Sequence, residues 1–135
     1  MSDITIEYKG LKLFINTGLI HEIMFLLVRE FERDPLVIQE YKLHEIVDDY
    51  KYYYSIAGDV FEDPTSFDEI FKGKPDLHNL FVKTLQSIKE KLFVDQDYLT
   101  VKDLEGIVDI GIIRSEINTE KLIDKIIEVE FLLVK

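Results

Sequence analysis

The sequence predicts a predominantly helical α+β fold of about five helices behind a small N-terminal β-hairpin. Three observations predict it. Residues 4–15 alternate apolar with polar residues on either side of a Lys-Gly pair, apart from Phe14. Three later stretches repeat apolar residues at helical spacing, and Asn, Pro and Gly stand where those stretches begin and end. The 135 residues match the usual size of a single domain, taken as residues 1–135, and the 47% hydrophobic content supports a core.

The hairpin is expected over residues 3–15, followed by a helical core over 17–135. Ile4, Ile6 and Tyr8 alternate with polar residues, and Leu11, Leu13 and Ile15 alternate with Lys12 and Phe14. Lys9-Gly10 is a two-residue turn, although Asn, Asp or Gly is the preferred first residue. Asn16 or Thr17 then caps a helix to about Arg33. The run from Leu19 to Phe31 is apolar nearly all round, which predicts a central, buried helix. Asp34-Pro35 ends it, because proline disfavours helix at the residue before it and suits the first turn of the next.

A second helix is expected from Pro35 to about Ala57, stopped by Gly58. Leu36, Leu43, Ile46, Val47, Tyr50, Tyr53, Tyr54 and Ala57 follow helical spacing. It contains "DYKYYYSI", which holds four of the seven tyrosines. On a helix Tyr50, Tyr53 and Tyr54 share a face and border the core, leaving Tyr52 exposed. A strand would instead group Tyr50, Tyr52 and Tyr54. The unbroken periodicity before Tyr50 favours the helix.

Residues 58–64 read as a loop. A short helix follows, with Thr65 and Asp68 as a capping box, and "KGKP" breaks the chain before an amphipathic helix from Asp76 to about Phe93. In the last third, Thr100 and Asp103 form another candidate box. Gly106 and Gly111 weaken a helix there, and "IVDIGII" suits a strand equally well. Asn118 starts a last helix, whose tail "EVEFLLV" alternates and offers a strand against the hairpin as the alternative. Helix is preferred for most of both segments.

Composition narrows function more than any motif does. The net charge is −11, from 16 basic and 27 acidic side chains. It argues against direct nucleic-acid binding and against anionic membranes, and it speeds encounter with a basic protein. With no cysteine, disulfides, thiolate metal sites and cysteine nucleophiles are excluded. The first residues lack a basic leader, and the longest apolar run, "IMFLLV", is far shorter than the ~20 residues of a membrane span. A cytoplasmic location is expected.

The three histidines, His21, His44 and His78, carry no metal spacing. "HEIM" and "HEIV" each lack the second histidine of a metalloprotease helix. Glu40 and His44, four apart, read as a surface hydrogen-bonded pair rather than a chelate, and His78 as incidental. No nucleophile elbow, phosphate-cradling glycine loop or calcium loop occurs. No enzyme activity, cofactor or metal is therefore expected. The expected function is that of a small acidic protein-binding module, most concretely an immunity-type inhibitor of a basic, nucleic-acid-handling enzyme or toxin. Asp48, Asp49, Tyr52, Asp59, Glu62 and Asp63 are its candidate contact residues. The alternative is a helical assembly subunit that associates through apolar surface such as "EFLLV".

Overall fold

The computed structural model describes residues 3–55, 66–106 and 118–134. The chain opens with two antiparallel strands, β1 (Asp3–Tyr8) and β2 (Leu11–Asn16). Their register pairs Ile4 with Ile15, Ile6 with Leu13 and Tyr8 with Leu11, so the alternating apolar residues share one face. Ile6, Tyr8 and Ile15 are buried. Lys9 and Gly10 both take positive φ, 51° and 81°, as the tight turns that match strand twist require. Lysine is a poor left-handed residue, and its N–H is held by Asp68 Oδ1 at 3.0 Å.

Helix α1 (Thr17–Glu32) follows β2 without a loop. Asn16 is its cap, accepting from the N–H groups of Gly18 and Leu19 at 2.8 and 3.4 Å. As its all-round apolar composition predicts, α1 is buried over most of its length, from Thr17 to Val28 with the exception of Phe25.

The expected second helix is two helices, α2 (Pro35–Tyr41) and α3 (His44–Tyr54). Lys42 takes a left-handed conformation, φ 55°. Its N–H bonds to Gln39 O at 3.4 Å, and that of Leu43 bonds to Ile38 O at 2.9 Å. This is a Schellman end with lysine where glycine is usual, and with the apolar residue after it, Leu43, fully buried. The break lets α3 lie along α1. The expected end at Ala57 and stop at Gly58 lie outside the described residues, as does the 58–64 loop. The four tyrosines sort as the helical reading requires: Tyr50, Tyr53 and Tyr54 are buried, and Tyr52 is 66% exposed.

Helix α4 (Phe67–Ile70) is a single turn. Asp68 Oδ1 serves the hairpin turn, and the expected capping box with Thr65 lies outside the described residues. Helix α5 (Pro75–Val94) buries Leu77, Phe81, Leu85, Ile88 and Leu92. A 3-10 turn (Lys102–Gly106) follows Thr100 and includes Asp103, and the two form the expected reciprocal box. Thr100 N–H and Oγ1 donate to Asp103 Oδ2 at 2.8 and 3.0 Å, and Asp103 N–H donates back at 3.3 Å. The helix-or-strand question at "IVDIGII" falls outside the described residues. The C-terminal alternative of a strand is corrected: α6 (Thr119–Val134) is helical to its end and buries Leu122, Ile126, Val129, Leu132 and Leu133. Their helical spacing outweighs the short alternation. Asn118 Oδ1 accepts from Lys121 N at 3.0 Å and starts the helix.

The fold is therefore the small helical α+β type, with six α-helices among the described residues rather than about five. Its buried residues form one cluster centred on α1 and lined by α3, α5, α6 and the hairpin. Phe31, Phe67, Phe71 and Phe81 meet there, with ring centroids 5.0–6.4 Å apart. Among the described residues no helix is long and apolar enough to cross a membrane.

Candidate functional site

Helix α3 lies on α1 through Val47, Tyr50, Tyr53 and Tyr54. Tyr54 meets Phe25 edge to face, centroids 5.7 Å apart. Burial raises the Tyr54 phenol above its ordinary pKa, with Lys51 and Glu32 charges adding smaller, opposed effects. Three residues apart or four, the outward positions are Glu45, Asp48, Asp49 and Tyr52, and all four are exposed. Asp48 and Asp49 enter no ion pair among the described residues. Lys51, next to Tyr52 in sequence, bonds to Glu32 at 2.6 Å. That bond raises the Lys51 ammonium above its usual pKa against a small opposing effect of burial. Asp48, Asp49 and Tyr52 thus share one open acidic and aromatic face. Asp59, Glu62 and Asp63 lie outside the described residues.

A second cluster was not foreseen. It gathers at the C-terminal ends of α1 and α5, under the segment 95–104. Glu30 accepts from Tyr98 Oη at 2.6 Å, Lys91 Nζ at 2.7 Å and Arg33 Nη1 at 2.8 Å. Burial alone would raise the Glu30 carboxyl; the bonds from Lys91 and Tyr98 and the charges of Lys91 and Arg33 outweigh it and hold the group below the usual range. Arg29 donates to Tyr98 O, pairs with Asp103 at 3.4 Å and lies over the Tyr98 ring at 4.5 Å. Asp103 is likewise lowered, its burial outweighed by the two Thr100 bonds and Arg29. The buried Tyr98 phenol is pushed far up, by burial first and then by its bond to Glu30. With every oxygen of Glu30 engaged, the cluster straps a loop onto two helix ends. Apart from the Glu30–Arg33 pair, the bonds that tie the segment and α5 to α1 join residues more than 60 apart, and of the cluster only the Thr100–Asp103 box was legible.

The histidines separate. His21 is buried in α1 beside the buried Glu22. Glu40 ends in α2 and His44 opens α3, on either side of the left-handed Lys42, so they do not share one helical turn. His78 is structural rather than incidental. Its Nε2 bonds Leu133 O at 2.7 Å, so it carries the proton, since a carbonyl only accepts. Its ring stacks on Tyr8 and meets Phe71 edge-on, tying α5 to the end of α6 and to the hairpin. Among the described residues no three His, Asp or Glu side chains converge as metal ligands.

No family model matches the chain, and neither does any curated protein or solved structure.

Proposed function

We propose that the protein is a small acidic binding module of the cytoplasm whose α3 face docks a basic protein, most concretely as an immunity-type inhibitor of a nucleic-acid-handling enzyme or toxin. One observation carries this reading: Tyr52 stands exposed among Glu45, Asp48 and Asp49 while its three tyrosine neighbours are buried. The acids attract a cationic cleft at a distance and raise the encounter rate. Tyr52 then offers a large amphipathic contact with few rotors, the type of residue that dominates protein interfaces. The net charge of −11 extends the same attraction over the whole molecule.

The test places a photo-crosslinking amino acid at position 52 and, as a control, at the exposed Gln86 of α5. Crosslinking in the native cell should join one basic protein from position 52 and none from position 86. Equal capture from both positions, or capture of acidic proteins only, contradicts the proposal.

A second reading, an assembly subunit, is favoured by Phe131 and Val134 of α6, 60% and 64% exposed. Phe131 shares a hollow of about 410 Å³ with Leu11 of the hairpin. Sedimentation separates the two: a monomer at all concentrations favours the binding module, and a concentration-dependent dimer abolished by Phe131→Lys favours the subunit.

A further inference from the structure

Against the net negative charge, lysines gather around one hollow of the described surface. This hollow, of about 400 Å³, lies where the hairpin turn meets the α4–α5 link. Lys9, Lys72 and Lys74 line it, with Tyr8, Phe71 and His78 as its apolar and aromatic wall. In a chain of net charge −11 with only 16 basic residues, three lysines converge on this one concavity. Among the described residues neither Lys72 nor Lys74 pairs with a carboxylate. Among the described residues these two lysines are thus unpaired, in contrast to Lys51, Lys89 and Lys91, each matched to a glutamate. Asp68 also lines the hollow, but its Oδ1 accepts the backbone N–H of Lys9.

We infer that this hollow binds a small phosphomonoester. Three lysines and one aspartate leave a net charge of +2 around it. A phosphate monoester near neutral pH carries about −1.5 to −2, which matches that charge better than a carboxylate does. The fold holds the rim in place. Gly73, at φ 68°, turns the chain between Lys72 and Lys74, and a side chain there would meet nothing within 4 Å, so the glycine serves the turn and not a close contact. The N-terminal end of the twenty-residue α5 lies beside the lysines, with Asp76 in its first turn offsetting part of its positive field. The volume exceeds what a bare phosphate fills and falls in the range of small-molecule sites, with Pro75 and the aromatic wall available to the uncharged body of the ester.

Amide spectra of the labelled full chain test the inference at constant ionic strength, with chloride exchanged for inorganic phosphate, phenyl phosphate or benzoate. Phenyl phosphate should give saturable shifts confined to the amides around the hollow, residues 8–9, 68 and 71–78, with a Kd on the order of 1 mM or tighter. Inorganic phosphate should bind the same residues more weakly, lacking a body to lie on the wall. Lys72→Gln/Lys74→Gln should weaken phenyl phosphate by about tenfold or more, the scale for lost charge-assisted hydrogen bonds. Lys83→Gln, an exposed lysine farther along α5, should leave it unchanged. Both variants alter exposed side chains, and unchanged spectra elsewhere confirm the fold. Benzoate binding as tightly as phenyl phosphate, shifts that do not saturate, or equal affinity in the double variant would each overturn the inference. Because Tyr52 and the α3 acids line no part of this hollow, its outcome is independent of the partner reading.

Discussion

Helix α3 and the 95–104 strap are built from the same kinds of residue and use them in opposite ways. Each sets a tyrosine among carboxylates. On α3 the acids stand in solvent and Tyr52 is exposed. At the strap, Tyr98 is buried, and Glu30 and Asp103 are engaged by Arg29, Arg33 and Lys91. The difference is the supply of cations. The ends of α1 and α5 bring three of them together, whereas α3 has Lys51 nearby and Glu32 takes it. An acidic-aromatic sequence therefore becomes internal structure where positive groups converge, and open surface where they do not.

The largest effect expected is loss of a buried aromatic. Tyr98→Ala and Tyr53→Ala should each lower unfolding free energy by about 3 kcal/mol, the scale of a truncated core ring. Chemical denaturation checks it. If Tyr98→Ala costs no more than a surface change, the strap is not a structural tie and the contrast with α3 collapses.

Smaller but more specific is Tyr98→Phe, which keeps the ring and removes the bond to Glu30. About 1.5–3 kcal/mol should be lost, the range for a hydrogen bond to a charged group. The same cluster sets the response to acid. The Glu30 and Asp103 carboxyls are lowered in the folded state, so their contribution is complete above the ordinary carboxylate pKa, near 4, and is lost as pH falls through their folded values. Denaturation midpoints measured down the pH scale should fall less steeply in Glu30→Gln than in the wild type. An identical slope would show that Glu30 has no special environment. The Tyr98 phenol works in the other direction: raised in the fold, it contributes below the ordinary tyrosine pKa, near 10, and that contribution is lost as pH rises through its folded value.

The orientation of α3 depends on the break at Lys42, where the sign of a substitution is diagnostic. In a left-handed position glycine relieves backbone strain, so Lys42→Gly should raise stability by about 1 kcal/mol. In one continuous helix from Pro35 it would cost about 1 kcal/mol instead.

Much of this was readable beforehand. The hairpin, α1, α5 and the sorting of the four tyrosines all follow from local periodicity, and Asn16, Asn118 and the Thr100–Asp103 pair acted as the end signals they resemble. The split of the second helix was missed because lysine, unlike glycine or asparagine, carries no left-handed signature. Leu43 is buried as its spacing predicts, but nothing local marks the turn before it. The strap was missed for a related reason: Glu30 and Tyr98 are 68 residues apart and meet only after α1 and α5 are placed. Of the six proposed contact residues, Asp48, Asp49 and Tyr52 stand together as their spacing on a helix predicts.

The smallest stability effect expected is at the proposed interface itself. Tyr52→Ala should change unfolding free energy by no more than about 0.5 kcal/mol, against about 3 for its buried neighbours. Equal losses at positions 52 and 53 would place all four tyrosines in the core and remove the aromatic element of the surface.

The association rate with the protein crosslinked at position 52, followed as a function of salt, tests the open face most directly. Charges at the rim of an interface act mainly on the rate of encounter. With Asp48 and Asp49 both replaced by lysine, association at low salt should slow by about tenfold or more, and its dependence on salt should flatten. A rate and a salt dependence equal to those of the wild type would contradict the account and leave the α3 acids as solvating charge alone.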